Sequence, residues 1–115
     1  MKRITIIGTG YVGLVSGAGL SDFGHLVRCV DIDKEKIDLL NDGIIPIYEP
    51  GLKTLITRNK NAKRLTFSIG IEESIKWAQV IVIAVGTPQS KNGNADISAV
   101  IAVAKQIGKI LIITK

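Results

Sequence analysis

The spacing of apolar residues changes several times along the chain, and each change marks an element. Ile4-Thr5-Ile6-Ile7 is a β-branched run that halts at Gly8, as a short buried strand does. From Tyr11 to about Phe23 small residues recur at Gly13, Ser16, Gly17, Ala18 and Gly19. They suit a helix packed close to a sheet, and Gly24 supplies its stop. Leu26 to Asp31 predicts a second strand. Asp33 can cap a helix from Lys34, with Ile37, Leu39 and Leu40 facing inward and Asn41-Asp42-Gly43 closing it.

Ile44 to Gly51 holds Pro46 and Pro50 and reads as a loop. Leu52, Leu55 and Ile56 have helical spacing and predict a short helix over about 52–59. Leu65-Thr66-Phe67 is a brief strand and 71–77 a further helix. Val80 to Val85 is wholly apolar and reads as a fourth strand, ending at Gly86-Thr87-Pro88. Lys91 to Asn94 is a polar turn. A helix from Asp96 or Ser98 runs through Ile107 and is stopped by Gly108, and Ile110 to Thr114 predicts a fifth strand.

Strands alternating with helices require right-handed crossovers and a parallel sheet. The expectation is an α/β, doubly wound, Rossmann-type sheet of about five strands in the order 3-2-1-4-5. At 115 residues the chain has the length of one domain. It holds no repeat, low-complexity stretch or linker. The fifth strand is apolar on both faces and needs cover, yet the sequence stops at Lys115. Either an interface covers that strand or, as we expect, the chain is an incomplete domain, truncated after strand five, from a longer protein.

The chemistry concentrates where the first strand meets the first helix. Gly8-Thr9-Gly10-Tyr11-Val12-Gly13 fits the dinucleotide fingerprint G-x-G-x-x-G in the strand-to-helix setting that makes it informative. Gly8 permits the tight turn, Gly10 lets a pyrophosphate approach the backbone, and Gly13 lets the helix pack on the strand. Free N–H groups and the helix dipole then receive the phosphate charge. Asp31 ends the second strand, where a carboxylate accepts hydrogen bonds from both ribose hydroxyls. Ile32 and Asp33 follow it, with no arginine, so NAD is favoured over NADP; Lys36 can reach the same ribose edge. Val85-Gly86-Thr87 lies at the switch point between strands one and four, where Thr87 can offer a hydroxyl to the cofactor.

Composition narrows the alternatives. The net charge is +5, and its densest stretch is Arg58, Lys60, Lys63 and Arg64. With no aromatic residue interleaved to stack a base, that stretch reads as a solvated helix end and not as a nucleic-acid patch. Cys29 is the one cysteine, which excludes an internal disulfide and fits a reducing cytoplasm. No signal peptide, membrane span or metal-ligand spacing is evident. His25, the one histidine, falls in a turn at the far end of the sheet and reads as an ordinary surface residue.

Four blocks together resemble the NAD-binding part of the UDP-glucose/GDP-mannose dehydrogenase family: Gly8 to Leu14, Val30 to Asp33 with Lys36, Tyr48-Glu49-Pro50-Gly51-Leu52, and Val85 to Pro88. The first block is common to many dinucleotide enzymes, whereas the third is much more specific. The resemblance implies that Val12, Asp31, Lys36 and Thr87 contact NAD beside the glycine loop, and that the Glu49-Pro50 loop lies near the active-site mouth. It also implies two NAD-dependent oxidations of a sugar C6 alcohol, as from UDP-glucose to UDP-glucuronate, in a full-length homo-oligomer. The catalytic cysteine and the sugar-nucleotide site of such enzymes lie in later regions, so the 115 residues alone are expected to be inactive. Alternatives are the same part of a GDP-mannose or UDP-N-acetylhexosamine dehydrogenase and, in another class, a non-enzymatic NAD-sensing module.

Overall fold

Every strand of the sheet sends alternate side chains to opposite faces, and helices pack on both faces. The computed structural model describes residues 1–86 and 97–114. Its elements are β1 (Arg3–Ile7), α1 (Tyr11–Asp22), β2 (Leu26–Val30), α2 (Lys34–Asn41), α3 (Leu52–Asn61), β3 (Leu65–Ser68), α4 (Ile71–Trp77), β4 (Val80–Ile83) and α5 (Ser98–Thr114). All strand pairs are parallel, in the order β3-β2-β1-β4.

On one face Ile4, Ile6, Val27, Cys29, Leu65 and Phe67 meet Leu14 and Ala18 of α1, Ile37 and Leu40 of α2, and Leu52 and Ile56 of α3. On the other, Ile7 and Val30 lie under Ile75, with Ile71, Ile81, Val85, Val103 and Ile107 packed around them. A fully buried aliphatic side chain contributes roughly 1.5–3 kcal/mol, so the first face carries the larger share of stability. Gly17 brings α1 down onto β2: a Cβ there would lie 2.6 Å from Cys29 Sγ. Thr5 faces the second core, and its hydroxyl donates to the Ser74 carbonyl at 2.8 Å, so the buried oxygen is satisfied.

Three expectations are corrected. Leu39 is 41% exposed, while Ile37 and Leu40, three residues apart on one helical face, are buried. Gly108 does not end α5. The segment 110–114 continues that helix, so the described sheet has four strands and not five. An apolar run of that length fits helix and strand alike. Extending a formed helix adds one hydrogen bond per residue fixed, whereas a parallel strand must first leave the helix through a connection, and only Gly108 and Lys109 separate the two segments. Thr87, Pro88, the polar turn over Lys91–Asn94 and Asp96 lie outside the described residues.

The basic stretch is occupied with the fold. Arg58 donates to Asp22 at 2.7 Å, the Lys60 ammonium donates to the carbonyls of Leu40 and Asn41 at the end of α2, and Arg64 donates to the Ser21 carbonyl. Buried Asn59 links Arg64 to Asp22. These are bonds to acidic groups and helix ends within the chain, in keeping with a helix end.

Candidate cofactor cleft

β1 feeds α1 on one face of the sheet, and β4 leads toward α5 on the other. Between them, at the carboxyl ends of the strands, a cleft of about 920 Å³ opens. Open α/β sheets bind ligands at this reversal of direction. Gly8, Thr9, Gly10, Tyr11, Val12, Asp31, Lys36, Val85 and Gly86 all line it, so the structure gathers these sequence-predicted residues in one place. Gly13 does not line it. It lies beneath the loop, and a Cβ there would collide with the Gly8 carbonyl oxygen. Thr87 falls outside the described residues.

The glycines do different work. Gly8 has φ +110°, and a Cβ on it would lie 2.5 Å from the Ala84 carbonyl oxygen. Its N–H donates to the Val30 carbonyl at 2.8 Å, which ties the turn to β2. Gly10 precedes α1 with extended backbone, and nothing lies within 4 Å of where its Cβ would stand. Gly10, the N-cap of α1, makes no side-chain cap bond, and no acidic residue occupies the first turn. The first turn therefore offers N–H groups that no helix bond uses, which is what an anion seat requires. A dinucleotide pyrophosphate fits this cradle.

Asp31 sits at the centre of a small hydrogen-bond set. Its Oδ2 accepts from the Thr9 N–H at 3.0 Å and the Thr9 hydroxyl at 2.7 Å, and its Oδ1 accepts from the Asp33 N–H at 3.0 Å. Partial burial pushes the Asp31 carboxyl upward. The hydrogen bonds from Thr9 and Asp33 and the nearby Lys36 charge outweigh that push, and the pKa lies below its ordinary value. Asp31 is thus ionised at neutral pH.

Other features were hidden from the sequence. The Tyr11 hydroxyl donates to Glu49 Oε2 at 3.1 Å, tying the start of α1 to the 44–51 loop. This bond pushes the Tyr11 phenol upward. Ile32, 86% exposed, also lines the cleft, as do Ile71, Ala99 and Val103, which supply apolar walls. An isoleucine directly after the strand-ending acid is the signal that could have marked Ile32. His25 accepts from the Lys2 N–H at 3.0 Å, in the turn between α1 and β2. Cys29 is fully buried, which pushes its thiol up to about 12. Among the described residues no group of His, Cys, Asp and Glu could hold a metal ion, and no helix is long and apolar enough to cross a membrane.

Comparison with known proteins bears on this geometry. The family model for the NAD-binding domain of the UDP-glucose/GDP-mannose dehydrogenase family matches residues 2–115. A UDP-glucose 6-dehydrogenase of Bacillus subtilis is 53% identical over 96% of this chain and 24% of its own length. Among solved structures, a ternary complex of GDP-mannose dehydrogenase from Pseudomonas aeruginosa superposes with a TM-score of 0.87 at 42% identity, covering 92% of this chain and 24% of that one. A UDP-glucose dehydrogenase from Pyrobaculum islandicum superposes with a TM-score of 0.90 at 35% identity, covering 96% and 26%. The chain thus spans about a quarter of the length of these relatives.

Proposed function

The chain belongs to the UDP-glucose/GDP-mannose dehydrogenase family as its NAD-binding domain, and from that premise we infer that the cleft holds NAD for the oxidation of UDP-glucose by a longer protein. The observation that carries this reading is the open start of α1 beside an ionised Asp31. In it, the N–H groups at the start of α1 hold the pyrophosphate, with Gly8, Gly10 and Val12 forming the bed. Asp31 receives the adenosine ribose, and Lys36 stands at its edge. Val85 and Gly86 border the cofactor on the β4 side. When bound, NAD supplies the hydride acceptor; these residues bind it, orient it and exclude the phosphorylated cofactor.

UDP-glucose is preferred over GDP-mannose because identity is higher to the Bacillus relative, at 53%, than to the GDP-mannose enzyme, at 42%. Calorimetric titration tests the cofactor reading. NAD should bind more tightly than NADP, and Asp31→Ala should weaken NAD by about 1–3 kcal/mol through lost charge-assisted hydrogen bonds. An unchanged NAD titration would remove Asp31 from the site. Turnover of UDP-glucose, GDP-mannose and a UDP-N-acetylhexosamine by the full-length protein tests the sugar.

A further inference from the structure

Glu49-Pro50-Gly51-Leu52 takes no part in lining the cofactor cleft, yet it is built as a tight turn. The Leu52 N–H donates to the Glu49 carbonyl at 3.1 Å, which makes Glu49 the first residue of a four-residue turn. Pro50 and Gly51 fill its centre. Gly51 has φ +81° and ψ −13°, the values that a type II turn demands at its third residue. Proline presets the second position of such a turn and glycine accepts the third. Leu52, the fourth residue, is buried in the first core. The turn is therefore stiff at its centre and anchored at its end, while Glu49 at its start is exposed.

From this turn Glu49 reaches Tyr11. Its Oε2 accepts from the Tyr11 hydroxyl at 3.1 Å, and among the described residues that hydroxyl has no other partner. Tyr11 is the first residue of α1, directly after Gly10, and it lines the cofactor cleft while 53% exposed. An aromatic side chain so exposed has more than one rotamer open to it, and the bond to Glu49 selects one. Resting on the NAD reading above, we propose that Glu49 is a positioning residue: held by the Pro50-Gly51 turn, it fixes the Tyr11 ring as a wall of the cofactor cleft and keeps the start of α1 clear for the pyrophosphate. The ring is ordered before the cofactor arrives, so binding does not have to order it. Glu49 acts on the cofactor through Tyr11 and does not touch it.

Calorimetric titration of NAD tests this. Tyr11→Phe removes the hydroxyl and leaves the ring and the carboxylate. It should weaken NAD about three- to tenfold, the range expected for one net hydrogen bond. Glu49→Ala should do the same, and the double variant should lose no more than either alone, because both changes remove one bond. Glu49→Gln keeps an acceptor at the same reach and removes the charge, so it should bind NAD within about twofold of the unaltered chain. Both side chains are exposed, so each variant keeps the fold. Unchanged NAD binding in Tyr11→Phe would overturn the proposal, as would additive losses in the double variant. A loss in Glu49→Gln as large as that in Glu49→Ala would overturn it too, since the charge and not the bond would then be acting. If the unaltered chain binds no NAD, the cofactor reading itself fails and this inference with it.

Discussion

Two helices begin at the same edge of this sheet, and they begin differently. β1 and β2 are parallel, so α1 and α2, which follow them, both point their positive ends toward the cleft side. α2 is closed by its own chain: Asp33 Oδ1 accepts from the N–H groups of Glu35 at 3.1 Å and Lys36 at 3.3 Å, and Glu35 adds a negative charge to the first turn. α1 starts at Gly10 with no side-chain cap and no acid in its first turn. The first terminus spends its donors internally; the second keeps them for an anion from outside. Asp31 stands between, accepting from Thr9 ahead of α1 and from Asp33 ahead of α2.

The largest expected effect breaks the turn that presents α1. Gly8→Ala places a Cβ against the Ala84 carbonyl in a left-handed conformation and should cost about 2–4 kcal/mol of stability in urea unfolding, with NAD binding lost. Retained stability would mean that the turn is less constrained than its geometry indicates. Gly10→Ala sharpens the comparison, because its Cβ would enter open space. The melting temperature should hold while NAD binds about tenfold more weakly, since the methyl occupies the pyrophosphate approach. An unaltered affinity would move the pyrophosphate away from this terminus. Asp33→Ala should have the smallest effect, about 1 kcal/mol of stability from the lost cap, and should change NAD affinity less than Gly10→Ala. If it harmed binding as much, both termini would serve one ligand.

Much of this was legible because local chemistry and tertiary setting agree. Gly8 and Gly13 announce a turn that only glycine can make without a clash, and Asp33 announces a cap that the structure contains. The segment 71–77 matches the observed helix to the residue. What was not legible depends on partners distant in sequence. Nothing near Thr9 says that its hydroxyl will meet a carboxylate 22 residues on, or that Tyr11 will reach Glu49 across 38. Leu39 lies off the inner face because each helical residue turns about 100° from the last, which keeps Ile37 and Leu40 on one side and swings Leu39 outward. The 110–114 segment is ambiguous in sequence because a uniformly apolar run carries no period to distinguish strand from helix.

The Gly17–Cys29 contact has a practical consequence. The chain's one thiol lies in β2 at 0% exposure with α1 directly above it. Its ionisation, pushed up to about 12, leaves almost no thiolate in the closed molecule at neutral pH. A thiol reagent therefore marks the chain when the core over β2 opens, as when α1 lifts from the sheet. The rate of that single covalent event is a stopwatch for the opening of the glycine-loop unit, and a ligand seated on α1 slows it by the factor by which it favours the closed form.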